Sequence, residues 1–214
     1  MRSQHHLTVR VALPRDLPPE AVVSALQSYT AIIQNQAFVT HYEQTDVDTA
    51  SVEADPFFRA DGTGTASYKV YERVTFIPGV GKEISFPTVF QRFENGIRTR
   101  AIAPAGVTIY SQHVVSRIAA GDGNVGEGAV DEGARWLGDD RALQSKTARL
   151  SSKEIVDEVG GAEAGEYELV ETLSLECNTM LMPFVKSSME EAHRDICKKV
   201  IASCRIACIA IGVA

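Results

Sequence analysis

The chain has 214 residues, 44% of them hydrophobic and 23% charged, which suits a domain with a substantial core and room for an internal cavity. That balance excludes a disordered chain or a collagen-like rod. Its 21 Lys and Arg stand against 28 Asp and Glu, a formal net charge of -7 with no basic cluster to offset it, so nucleic acid is not an expected partner.

Residues His5 to Leu13 place Leu7, Val9, Val11 and Leu13 at every second position, the period of a half-buried strand. Pro18 and Pro19 then open Glu20 to Gln34, where Ala21, Val22, Ala25, Leu26, Tyr29, Ile32 and Ile33 recur at helical spacing, predicting one or two short helices. A strand follows at Ala37 to Glu43, and the polar stretch Gln44 to Ser67 reads as a loop. Four strand-like runs come next, Tyr68 to Ile77, Ile84 to Phe93, Ile97 to Ala103 and Val107 to Arg117. They are separated by Pro78-Gly79, Asn95-Gly96 and Pro104-Ala105-Gly106, the punctuation of an antiparallel meander. Asn95-Gly96 is the strongest hairpin signal.

Ala119 to Glu166 is rich in Gly and acidic residues and reads as an insertion or mobile loop within a single domain. Its Gly121-Asp-Gly-Asn-Val-Gly126 matches the spacing of a dinucleotide fingerprint. No strand-helix-strand unit surrounds it, and Asp122 and Glu127 would repel a pyrophosphate. Tyr167 to Cys177 alternates again, and Thr179 to about Cys208 carries Leu181, Val185, Met189, Ala192, Ile196, Val200 and Ile201 on one face of a long helix. Asn178 stands where an N-cap would be. The apolar tail Val200 to Ala214 is interrupted by Arg205 and is shorter than the ~20 residues of a membrane span. With no signal-like run in Met1 to Pro19, a cytoplasmic chain without a membrane span is expected.

The four cysteines, Cys177, Cys197, Cys204 and Cys208, all fall near the C-terminus and read as free thiols. Three of them share a helical stripe, and no metal-binding partners stand near them in sequence, so neither a metal nor a cofactor is expected.

Tyr71-Glu72-Arg73-Val74 with Ile77-Pro78-Gly79, Ala103-Pro104-Ala105-Gly106, Glu171 with Cys177-Asn178, and Pro183-Phe184-Val185-Lys186 with Ala192-His193 run along most of the chain. In these residues, and in the order strand, paired short helices, meander, long helix, the chain resembles an uncharacterised fungal branch of the helix-grip superfamily of START-like domains and polyketide cyclases. The resemblance implies an α+β fold. In it a curved antiparallel sheet wraps a long C-terminal helix and encloses a cavity for a small hydrophobic molecule.

Polar residues interrupt the apolar stripes at three points. Glu72 lies between Tyr68, Val70 and Val74, with Phe86 and Phe90 on the next strand. Glu171 lies between Leu169 and Leu173, and His113 follows Ile109 and Ser111 on a third strand. A carboxyl in apolar surroundings has a raised pKa and suits general acid-base work or hydrogen bonding to a carbonyl, while His113 suits proton transfer. The structural alternative pairs each Glu with Arg73, Arg92, Arg98 or Arg100. A one-residue register change would put Arg73 and Tyr110 inward instead. On the helix, Lys186 and His193 either reach the cavity mouth or stay solvated, and Met182 and Met189 offer an adaptable apolar lining.

The expected function is a cofactor-independent cyclase or isomerase of a polyketide- or terpenoid-type intermediate, a pericyclic [4+2] closure being one chemistry that fits. Glu72, Glu171 and His113 are its expected catalytic groups. The alternative is a non-catalytic carrier of a lipid or sterol. A third reading is an interaction module or homodimer joined through the tail Ile206 to Ala214.

Overall fold

The structure, a computed structural model, describes residues 1–59, 61–77, 80–118, 150–157 and 164–212, with strand positions 74–77, 80 and 150–157 described by backbone alone. Along the chain run β1 (Arg2–Pro14), α1 (Pro19–Gln27), α2 (Thr30–Gln34), β2 (Val39–Thr45), α3 (Thr49–Glu53), β3 (Thr65–Ile77), β4 (Val80–Phe93) and β5 (Gly96–Ala103). A 3-10 turn (Pro104–Gly106), β6 (Val107–Arg117), β7 (Leu150–Asp157), β8 (Ala164–Asn178) and α4 (Met182–Ala210) complete it. The eight strands form one sheet in the order β2-β3-β4-β5-β6-β8-β1-β7. Seven are joined antiparallel, and β7 adds to β1 in parallel, Gln4 facing Leu150 and Val11 facing Asp157. With the long helix and three short ones this is an α+β, helix-grip-like fold.

The alternation read from the sequence sets which face is inward. Leu7, Val9, Val11 and Leu13 of β1 are buried, as are Leu169, Leu173 and Leu175 of β8 and Phe90 and Ile97 of the meander. They meet Val22 and Leu26 of α1 and Ile196, Val200 and Ile201 of α4. Each such side chain removed from water contributes about 1.5–3 kcal/mol. The opposite face carries a smaller cluster, in which Val52, Phe57 and Phe58 of the 47–59 segment pack with Val89 of β4. Arg100 pairs there with Asp55 at 2.5 Å and Arg98 donates to the Phe57 carbonyl. Those two arginines are thereby committed to the face away from Glu72 and Glu171.

Several local expectations are corrected. α3 lies inside the stretch read as a loop, its first turn capped by Asp48, whose carboxylate accepts from the Ser51 N–H at 3.1 Å. The β4–β5 hairpin turns on Glu94 and Asn95, one residue earlier than expected, because Phe93 pairs with Gly96. Gly96 thus becomes the first residue of β5, where a Cβ would sit 1.9 Å from the His113 carbonyl oxygen. β7 falls inside the segment expected to be an insertion or loop, whereas residues 119–149, with the glycine-rich motif, lie outside the described residues. Asn178 does not cap α4. Its side chain accepts from the Met180 N–H at 3.0 Å in a turn ahead of the helix, and Leu181 takes the N-cap position with no side-chain bond.

α4 divides into two halves. From Ile196 to Cys208 its inner residues are buried against β1, β8 and α1. From Met182 to Ala192 the corresponding residues, Met182, Val185 and Met189, are only half-buried, and Phe184 is exposed. Among the described residues no helix is long and apolar enough to cross a membrane.

Candidate functional site

Cross-strand register assembles the site. Ile97, His113, Glu171 and Val9 are successive neighbours across β5, β6, β8 and β1, all on the inner face. Two of the expected catalytic residues are therefore directly paired partners on adjacent strands. His113 Nε2 lies 3.2 Å from Glu171 Oε1, with His113 at 1% exposure and Glu171 at 0%.

α4 supplies two more groups, one turn apart. His193 Nδ1–H donates to Glu171 Oε1 at 2.6 Å, and the Cys197 thiol donates to Oε2 at 3.5 Å. Positions i and i+4 share a helix face, so one helix can place both over a single carboxylate. Glu72 enters from the far side of the sheet. It sits on β3 between Val39 of β2 and Ile84 of β4, and the curl of the sheet brings it within electrostatic reach of His193.

These surroundings drive two glutamates in opposite directions. Burial raises the Glu72 pKa, opposed only by His193. Burial alone would also raise Glu171, but His113 and His193 beside it, with the hydrogen bonds from His193 and Cys197, hold it at about 2. Burial lowers His113, which Glu171 opposes and His193 reinforces. The Cys197 thiol is pushed well up, first by burial and then by the Glu171 carboxylate. At neutral pH the cluster thus holds an ionised Glu171, a neutral His113 and a protonated Cys197.

Among the described residues, neither glutamate takes the arginine partner that sequence reading offered as the alternative. Of the expected lining residues, Phe90, Leu169 and Leu173 are fully buried, Tyr68, Val70, Phe86 and Ser111 nearly so, and Ile109, Met182 and Met189 half-buried. The side chain of Val74 lies outside the described residues. Val39, Tyr42 and Ile84 on the sheet and Val185 and Met189 on α4 pack half-buried against the core, flanking Glu72 and His193 with apolar surface. A cleft of about 590 Å³ opens elsewhere, between the end of β1, the start of α1 and the start of β8, lined in part by Leu13, Asp16, Pro18 and Tyr167. None of the expected site residues line it.

Sequence reading placed Cys197 in the helix stripe only, and left His193 open between the cavity mouth and solvent. The seven-residue spacing of Lys186 and His193 carried no sign of which would meet the sheet. Lys186 instead lies 4.0 Å from Glu190, which stands 3.4 Å from the buried His5.

The solved structures that resemble the chain at low identity include the following two. The protein TTHA0849 from Thermus thermophilus matches at 14% identity and a TM-score of 0.48, covering 97% of this chain and 99% of its own. The hypothetical protein jhp0584 from Helicobacter pylori matches at 10% and 0.48, covering 92% and 86%. No curated protein matches. A family model covers residues 2–206, and the chain accordingly belongs to the family described as Domain of unknown function (DUF7053).

Proposed function

We propose that the chain is a START-like enzyme of the polyketide-cyclase type that cyclises or isomerises a small apolar molecule without an organic cofactor. The observation that carries this reading is convergence. His113, Glu171 and His193 come from three elements to one point, and Glu72 on a fourth lies within electrostatic reach of His193. Half-buried apolar residues stand beside Glu72 on the neighbouring strands and beside His193 on the helix. A carrier needs the apolar surface but gains nothing from a carboxylate-imidazole chain at its centre.

In this reading the half-buried apolar residues of β2, β4 and the first half of α4 form the walls of a groove beside Glu72 and His193, which holds the substrate folded close to its reactive shape. Glu72, kept toward its protonated form by burial, donates to a carbonyl of the substrate and polarises it. Glu171 fixes His193 through the 2.6 Å bond so that the imidazole faces the groove, with His113 closing the carboxylate's other side.

The test is product analysis. Linear polyene and polyketide-type compounds are incubated with the protein and with Glu72→Gln, and chromatography seeks an isomer of identical mass and different retention. The reading predicts turnover that Glu72→Gln lowers at least ~10²-fold, the usual scale for a positioned acid. Compounds bound and recovered unchanged by both proteins would make the chain a carrier.

A further inference from the structure

The Glu171 cluster holds a second chemistry that sequence spacing concealed. His113, Glu171 and Cys197 stand on β6, β8 and α4, far apart in the chain. Yet one ligand atom from each lies within 4.8 Å of the others, and all three residues are buried. Both ring nitrogens of His113 are buried without a hydrogen-bond partner, although Nε2 is 3.2 Å from a carboxylate oxygen. The contact has the distance of a hydrogen bond without its alignment. A buried imidazole nitrogen left without a partner destabilises the fold, so a group that satisfies it is favoured there.

A tetrahedral zinc ion with nitrogen and oxygen ligands at about 2.0–2.1 Å and sulfur at about 2.3 Å sets neighbouring ligand atoms about 3.3–3.6 Å apart. The 3.2 Å between His113 Nε2 and Glu171 Oε1 is close to one such edge. Cys197 Sγ, 3.5 Å from the other carboxylate oxygen, Oε2, lies within 4.8 Å of a ligand atom of each partner, so a small rotation of the carboxylate brings one oxygen between nitrogen and sulfur. We propose that His113 Nε2, a carboxylate oxygen of Glu171 and Cys197 Sγ form a binding site for a divalent transition-metal ion of zinc type. His193 is its positioning residue, holding the carboxylate through the 2.6 Å bond.

Thiolate and imidazole select such an ion over magnesium or calcium. Charge balances. An ionised Glu171 and a Cys197 thiolate neutralise the dication beside a neutral imidazole, and the one proton displaced from the thiol leaves to solvent. Three protein ligands leave a fourth position open. The proposal stands independently of the proposed reaction, because its test needs no substrate.

The full-length chain, stripped with a chelator, is titrated with cobalt(II) and then with zinc. The expected result is a 1:1 tetrahedral cobalt spectrum with visible d–d bands and a near-ultraviolet sulfur-to-cobalt band, released by zinc, with one proton liberated per ion. Cys197→Ser should abolish the sulfur band and weaken binding by about tenfold or more. No cobalt spectrum from the folded wild-type chain, or one unaltered in Cys197→Ser, would overturn the proposal. If that variant fails to fold, X-ray absorption of the zinc-loaded wild type decides. One sulfur at about 2.3 Å with nitrogen or oxygen neighbours supports the site, and a shell without sulfur refutes it.

Discussion

Glu72 and Glu171 are the same side chain in two environments. Both are drawn from apolar stripes, yet only Glu171 gains donors and imidazoles close enough to outweigh desolvation. The difference sets a stability prediction for Glu72. A carboxyl whose folded pKa is raised favours the folded state below the unfolded value, about 4.3, and loses that contribution as pH rises through the folded value. Glu72→Gln has no charge to bury. Its melting temperature relative to wild type should therefore climb between about pH 4 and pH 8, and an advantage that is flat or shrinks with pH would contradict the assignment.

Alternation alone made Glu72, Glu171 and His113 legible, because on a strand the parity of a position fixes its face once the apolar stripe is recognised. His193 and Cys197 were not legible as partners of Glu171. Helical periodicity shows which residues share a face, but not how far along the sheet the helix comes to rest, and that offset decides what lies above the carboxylate.

At the scale of elements, α4 performs two tasks along its length. Its second half is a core strut, with Ile201 fully buried and Val200 beside it. Its first half stands half-open over the sheet. Ile201→Ala should cost about 2–5 kcal/mol by equilibrium urea unfolding, from lost transfer energy and the cavity left behind. Phe184→Ala, at a position 76% exposed, should change stability by no more than about 0.5 kcal/mol. Equal losses from the two would show that the helix is gripped uniformly and would remove the groove.

The meander and the long helix were readable because each carries its own period. β7 was not, since Leu150-Ser-Ser-Lys-Glu-Ile-Val-Asp157 has no two-residue alternation and owes its strand form to pairing with the distant β1. The hairpin displaced by one residue has a similar origin. Asn95-Gly96 is a strong local turn signal, but the close approach of the His113 carbonyl requires a residue without Cβ at 96, which draws Gly96 into the strand.

At the scale of the whole molecule, curvature is what makes a site. In strand order β3 and β8 are separated by β4, β5 and β6, and a flat sheet with neighbours about 4.8 Å apart would hold Glu72 ~19 Å from Glu171. Curling around α4 brings both within reach of His193, and leaves half-buried apolar side chains on the sheet and the helix on either side of them.

The central claim is that this groove receives an apolar ligand beside Glu72 and His193. Met189, one helical turn before His193 and half-buried on the same face, is the position at which to close it. The most direct measurement is the affinity of a linear polyene ketone, by native mass spectrometry, for the wild-type chain and for Met189→Trp, with thermal melts confirming that both are folded. The account predicts that the indole fills the groove and weakens binding by about tenfold or more, at least ~1.4 kcal/mol. Equal affinity in the two proteins would place the ligand elsewhere and contradict the account.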